Sequence, residues 1–258
     1  MTLTVQAVYD WIDGFAPFAL AEGDDNVGLL VGMPTSPVTR ILTALDCTME
    51  VVEEAKRLKA ELILTHHPLM YHGRNNMRED DPEGRVLSTL IRSNIALISA
   101  HTNLDRAKGG ISDVLGSLFS LTDIKGDVYL RAGRLPSTTT AGALCSLAES
   151  ILKAPVRLYG SPDHAIKILA VSGGAYDEGY EEAIALGAQA YLTGEVHHHN
   201  AIYATARNIV LLEGGHFATE VPGITAFGRC LQTGMNQLQY SVDVFHFSGV
   251  SYPGALNL

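Results

Sequence analysis

The chain is short of cysteine, of positive charge and of long apolar runs, and each shortage removes a class of function. Its 258 residues include three cysteines, Cys47, Cys145 and Cys230. An odd number so far apart is no disulfide framework and fits a reducing cytosol. Lys and Arg total 18 against 28 Asp and Glu, a net charge of −10, which disfavours broad nucleic-acid binding by counterion release. It leaves open a phosphorylated ligand in a metal-lined pocket, because metal ions reset the local sign. No run approaches the roughly 18 apolar residues of a membrane span, and Met1–Val5 lacks the basic-then-apolar pattern of a signal peptide. A cytoplasmic protein without membrane contact is expected. Gly28 and Gly32 are not followed by the Lys-Ser/Thr of a nucleotide P-loop, and nothing resembles a Ser-His-Asp triad.

What is present is an apolar content of 47% with 18% charged residues, the composition of a globular chain able to bury a substantial core. Glu61-Leu62-Ile63-Leu64-Thr65 reads as a short buried strand that must stop at Pro68, which cannot donate to a ladder. His66 and His67 therefore stand where a strand becomes a loop, and carboxyl ends of strands in open α/β sheets are where ligands bind. Before it, 4–15 has helical spacing, 27–32 reads as a glycine-bulged strand, 41–45 as a strand and 49–59 as a helix. Asp25 and Asn26 read as turn formers. After it come a polar loop over 68–81 carrying Tyr71, His72 and Arg74, a helix over 83–92 and a buried strand over 95–100. Further on, 125–136 reads as an exposed strand, 138–153 and 176–186 as helices, and 166–171, 190–192 and 209–212 as strands. A helix around 224–233 and a strand around 238–245 close the pattern. Strand–helix alternation of this kind predicts α/β layers.

The two halves resemble each other. Glu53-Glu54-Ala55 and Ala60–Thr65 align without a gap on Glu181-Glu182-Ala183 and Ala188–Thr193, and Asn94–Ile98 resembles Asn208–Leu212. The expectation is an α/β fold of two similar halves related by a pseudo-twofold, with sheets flanked by helices. Residues 1–125 together with the C-terminal segment would form the first half and 126–258 the second, with the site in the cleft between them.

The same alignment carries His101 and Asp105 onto His216 and Glu220, so each half offers a histidine and, four residues on, a carboxylate. With His66 and His67 these are enough ligands for two divalent ions. Imidazole and carboxylate suit Zn, Fe, Mn, Co or Ni, and the lack of thiolate argues against a closed structural zinc. A carboxylate is the natural bridge between two ions, and Glu220 is preferred to Asp105 for it. His101 is either a sixth ligand or an acid/base residue. Gly194-Glu195-Val196-His197-His198-His199 is either a solvated helix start or a wall touching substrate, with His198 the acid/base candidate. Together these features point to a dinuclear metal-dependent hydrolase acting on a small molecule, or to a metal-binding scaffold without turnover.

Asp25-Asn26-Val27-Gly28, Leu64-Thr65-His66-His67-Pro68, Ala100-His101-Thr102-Asn103-Leu104-Asp105, Thr193-Gly194-Glu195 and Gly215-His216-Phe217-Ala218-Thr219-Glu220 occur in the order and spacing of the NIF-three-like family, often labelled GTP cyclohydrolase 1 type 2, and the chain resembles that family along nearly its whole length. The resemblance implies metal ligation by His66, His67, Asp105, His216 and Glu220, a homohexameric ring, and hydrolytic opening of the guanine imidazole ring of GTP with loss of formate. Asp24 replaces the aromatic residue often found before the Asp-Asn-Val-Gly segment, and the domain that longer members insert between the halves is missing.

Overall fold

The computed structural model describes residues 2–126 and 128–249. They divide into two compact units, one built from the chain up to Ala107 and from Ile224 onward, the other from Lys108–Gly223. Each contains one mixed sheet flanked by helices.

The first stretch runs α1 (Val5–Phe15), β1 (Gly28–Val31), β2 (Arg40–Ala44), α2 (Met49–Leu58), β3 (Leu62–Thr65), α3 (Pro82–Arg92), β4 (Ala96–Ser99) and α4 (Thr102–Arg106). The second runs α5 (Ile111–Leu118), β5 (Thr122–Lys125), β6 (Arg131–Thr140), α6 (Ala141–Leu152), β7 (Arg157–Tyr159), β8 (Ala165–Val171), α7 (Tyr180–Ala185), β9 (Ala190–Thr193), α8 (His198–Ala206) and β10 (Val210–Glu213). Then α9 (His216–Gln237) passes from one unit to the other, and β11 (Asp243–His246) returns to the first sheet. Helix starts follow local chemistry: Thr4, Thr48 and Thr140 accept the amides of Ala7, Val51 and Ala143, and Asp81 accepts that of Gly84 with Pro82 behind it. None of the described helices is long and apolar enough to cross a membrane.

The first sheet has the order β1-β4-β3-β2-β11, in which β4, β3, β2 and β11 are parallel and β1 is antiparallel to β4. β3 is buried along its whole length, as a central parallel strand should be. Ile63 points into a cluster with Val51, Val52, Ala55, Val86 and Leu90. The second sheet has the order β5-β6-β8-β9-β10-β7, with β8, β9 and β10 parallel. Its strands alternate: Leu192 and Leu212 face a cluster with Leu144, Ala148 and Leu152, while Tyr191 and Leu211 face one with Ala183 and Ala204.

The internal repeat has a topological counterpart. The succession α1-β1-β2-α2-β3-α3-β4-α4 is matched by α6-β7-β8-α7-β9-α8-β10-α9, and β7 lies antiparallel beside β10 as β1 does beside β4. Small devices repeat too. Glu61 accepts the amides of Thr39 and Arg40 ahead of β2, and Gln189, its aligned partner, accepts those of Lys167 and Ile168 in β8. Asn94 and Asn208 both take left-handed backbone before the strand that follows.

Three expectations need correction. The exposed strand at 125–136 is a hairpin of β5 and β6, and the start of β6 is buried because the Arg131 guanidinium is neutralised by Asp113 of α5. β6 continues through Thr140, so α6 begins at Ala141 rather than at 138. The last helix starts at His216, eight residues before the expected 224, because Pro222 and Gly223 are tolerated within α9 although both read as breakers. Residues 108–125 cluster with the second unit, where Leu115 and Phe119 join its core.

In the second unit the Tyr191 hydroxyl is buried against Ser172 Oγ at 2.6 Å and against the Tyr176 carbonyl. Tyr191→Phe leaves both short of a partner and should cost about 1–2 kcal/mol. The expected readout is a lower urea midpoint with an unchanged slope.

Candidate metal centre

In the first unit the site grows from three neighbouring strand ends. His66 and His67 follow β3, and their amides extend its ladder to the Ala44 and Leu45 carbonyls. His101 follows β4 and precedes α4, which carries Asp105. The rings gather: centroids lie 5.1 Å apart for His66 and His67, 5.1 Å for His66 and His101, and 5.5 Å for His67 and His101. Each of the three offers a ring nitrogen within 4.8 Å of those of the other two. Asp105 Oδ1 is 3.5 Å from His66 Nε2.

Every ring is held from behind. His66 Nδ1 meets the Ala100 carbonyl at 2.8 Å, His67 Nδ1 meets Asp46 Oδ1 at 2.7 Å, and His101 Nδ1 meets Asp25 Oδ1 at 2.9 Å. Each of these acceptors takes a proton from Nδ1, which in a neutral imidazole leaves the lone pair at Nε2. Metal-ligating histidines are oriented in this way by partners behind the ring. Asp25 and Asp46 are therefore ring-anchoring residues that sequence reasoning did not place at the site. Asp46 lies two residues beyond β2, the strand beside β3. Asp25 reaches His101 because β1 runs antiparallel to β4 with Gly28 opposite Ser99. Its side chain is 2% exposed, and it also accepts from the Thr102 amide and hydroxyl. Burial pushes its pKa up, but the hydrogen bonds from His101 and Thr102 outweigh that and hold it below the usual carboxylate range. The one signal in the sequence was a carboxylate directly ahead of a glycine-containing strand. The neighbouring Cys47 thiol is pushed up to about 12 by burial and by Asp46, so it supplies no thiolate at neutral pH.

In the second unit His216 and Glu220 lie one turn apart on α9, with His216 Nε2 3.2 Å from Glu220 Oε2. His216 Nδ1 donates to Glu195 Oε1 at 2.7 Å, repeating the arrangement of His67 and Asp46. Glu195 is thus a third such residue, in the position the repeat aligns with His67. Glu220 is almost fully buried, and the backbone is shaped around it. A Cβ on Gly174, whose φ is +63°, would come within 2.3 Å of Glu220 Oε1, and one on Gly173 within 3.1 Å of Cγ. Gly194 has equally little room, 2.8 Å from His216 Cα. Gly174→Ala is expected to displace the Glu220 carboxylate and to lower metal content while leaving the far-ultraviolet circular dichroism unchanged.

His198 is the exposed first residue of α8. Beside it, His197 donates its amide to Asp177 at 2.7 Å, and Asn200 donates to the same carboxylate at 2.8 Å. Burial raises the Asp177 pKa, yet these bonds and the His197 ring lower it overall; the His197 pKa is raised by the same bond. The stability Asp177 supplies should therefore be complete above the unfolded carboxyl pKa of about 3.9 and be lost as pH falls through the lowered folded value. An acid titration should show that limb flattened in Asp177→Asn.

His66, His67 and His101 of the first unit could together hold a divalent ion, and His216 and Glu220 offer an imidazole and a carboxylate in the second. A deprotonated Nε2 facing a carboxylate oxygen sets two electron-rich atoms against each other, which requires a shared proton or a cation. The first unit presents this between His66 and Asp105, the second between His216 and Glu220. The ligand types are imidazole and carboxylate, as in catalytic rather than closed structural sites.

Comparison with known proteins shows the family of the chain. The family described as Duf34/NIF3 (NGG1p interacting factor 3) matches residues 3–253. A Clostridium acetobutylicum protein named GTP cyclohydrolase 1 type 2 homolog is 32% identical over 249 residues, covering 92% of this chain and 93% of its own. A Streptomyces coelicolor protein of the same name is 37% identical over 226 residues, covering 82% and 79%. Among solved structures, a Staphylococcus aureus hypothetical protein superposes with a TM-score of 0.92 at 26% identity, covering 96% of this chain and 97% of its own. A Bacillus cereus protein related to NIF3 does so with 0.93 at 19% identity, covering 98% and 99%. The chain belongs to the Duf34/NIF3 family.

Proposed function

We propose that this protein is a dinuclear divalent-metal-dependent hydrolase acting on a nucleotide or a similar heterocycle, with GTP the candidate substrate. His66, His67 and Asp105 of the first unit, with His216 and Glu220 of the second, would hold the two ions. The observation that carries the reading is the common orientation of the imidazoles, each anchored at Nδ1 by an acceptor behind the ring, with Nε2 of His66 and of His216 facing the Asp105 and Glu220 carboxylates. When bound, the ions would supply Lewis-acid charge and a water of lowered pKa. Asp46, Glu195 and the Ala100 carbonyl hold the ligand rings in one tautomer. His101, braced at Nδ1 by Asp25, is assigned proton transfer at Nε2, and His198 is the second candidate for that role. The names of the relatives, GTP cyclohydrolase 1 type 2 homolog, support GTP as the first substrate to try.

The assay is formate release from GTP by metal-loaded protein, with His67→Ala as control. The wild type should release formate and the variant should lose at least 100-fold, as loss of a metal ligand or of its partners does. Equal rates in the two would remove GTP. The family description is an interaction name, which favours as second reading a metal-dependent scaffold without turnover. Partners that co-purify before but not after chelation, with no substrate turned over, would support it. We further propose a homohexameric ring in the cytoplasm, to be checked by light scattering and cell fractionation.

A further inference from the structure

The loop 68–81 leaves the His66-His67 strand end, and its cations are spent internally. The Arg74 guanidinium pairs with Asp81 and, at 2.5 Å, with Glu83, while Arg78 pairs with Asp80. The loop therefore offers no free guanidinium to a phosphate. What it sets beside the site is Tyr71. This ring is 46% exposed, with its centroid 6.2 Å from that of His101 at an interplanar angle of 82° and 4.9 Å from that of His72 at 73°. Among the described residues neither ring contact is a stacked one, so a planar partner can still pack parallel to it.

The placement of the ring is tied to the site. Asn26 Nδ2 donates to the Met70 carbonyl at 2.6 Å, one residue before Tyr71, while Asp25, one residue before Asn26, holds His101 and Thr102. A single dipeptide thus fixes the His101 ring and the root of the Tyr71 loop together. This gives Asn26 a role that its reading as a turn former did not.

We infer that Tyr71 is a stacking platform for the heterocycle of the substrate, with Asn26 as its positioning residue. The inference rests on the hydrolase reading above for the identity of the ligand, a purine nucleotide whose flat base lies on Tyr71 within reach of the first-unit histidines. Base–aromatic stacking tolerates any aromatic side chain and is lost with an aliphatic one.

The test is calorimetric binding of GTP and, separately, of inorganic tripolyphosphate to metal-loaded wild type, Tyr71→Phe, Tyr71→Leu and Asn26→Ala, with metal content and melting temperature measured for each. Tyr71→Leu should bind GTP about tenfold or more weakly, bind tripolyphosphate as the wild type does, and keep its metal. Tyr71→Phe should stay within about twofold of the wild type, and Asn26→Ala should lie between the two variants. Wild-type GTP affinity in Tyr71→Leu, an equal loss for tripolyphosphate, or no GTP binding by the wild type would overturn the platform. Unchanged affinity in Asn26→Ala would overturn the positioning role. Failure of the hydrolase reading is separable: GTP would then bind in a Tyr71-dependent way with no formate released.

Discussion

Glu220→Ala is expected to leave the purified protein with less than half of its bound divalent metal. Elemental analysis of the wild type should find close to two ions per chain, and the variant fewer than one. The reason is charge. The five proposed ligands include two carboxylates, Asp105 and Glu220, against about four positive charges on two dications. Glu220 is buried, faces His216 Nε2 at 3.2 Å and is closely approached by Gly173 and Gly174, so the backbone is built around this carboxylate. Losing one of two negative charges removes much of the attraction that would offset the repulsion between two neighbouring dications. Glu220→Gln, which keeps the shape, should lose metal as well, because the charge rather than the volume is decisive. His66→Ala removes a neutral ligand and should retain more metal than either. A wild-type stoichiometry of one, unchanged in Glu220→Ala, would sink the dinuclear reading.

The largest loss of stability is expected from Ile63→Ala. Ile63 has no exposed surface and sits at the middle of the first sheet against α2 and α3. Truncation removes three buried carbons and leaves a cavity between the sheet and the helices packed on it, at about 2–5 kcal/mol. For a chain of this size that corresponds to a fall in melting temperature of roughly 6–15 °C. By contrast, Glu53→Ala removes an exposed ion pair with Lys56 and should leave the melting temperature almost unchanged. A drop of less than about 3 °C for Ile63→Ala would show that the first unit does not limit unfolding. Added metal should raise the wild-type midpoint and do so less in Glu220→Ala, since a ligand that binds only the native state stabilises in proportion to its affinity.

Local chemistry is enough to locate most of the elements. An apolar run such as Leu62–Thr65 can be satisfied only as a buried strand, and Pro68 has to end the pairing. Thr4, Thr48 and Asp81 mark helix starts because a side-chain oxygen there accepts an orphan amide. The repeat was visible as residues before it was visible as topology, since Ala60–Thr65 and Ala188–Thr193 meet the same demands in β3 and β9. Where the reading failed, a distant partner overruled local preference. Arg131 goes into the sheet because Asp113 neutralises it, and α9 runs through Pro222.

The histidines of the candidate site belong to what the sequence by itself determined, because a strand end dictates where His66, His67 and His101 lie along the chain. Which nitrogen each presents was decided only by tertiary structure. Asp25 is 76 residues from His101, and Asp46 is 21 from His67; both meet their rings through strand pairing, antiparallel for β1 with β4 and parallel for β2 with β3. A proton held at Nδ1 by a carboxylate flanking the neighbouring strand is a property of register, and register is set by which faces are buried across the whole sheet. The residue types could therefore name the ligands, while the orientation that fits them to a metal came from pairings that no local stretch of chain encodes.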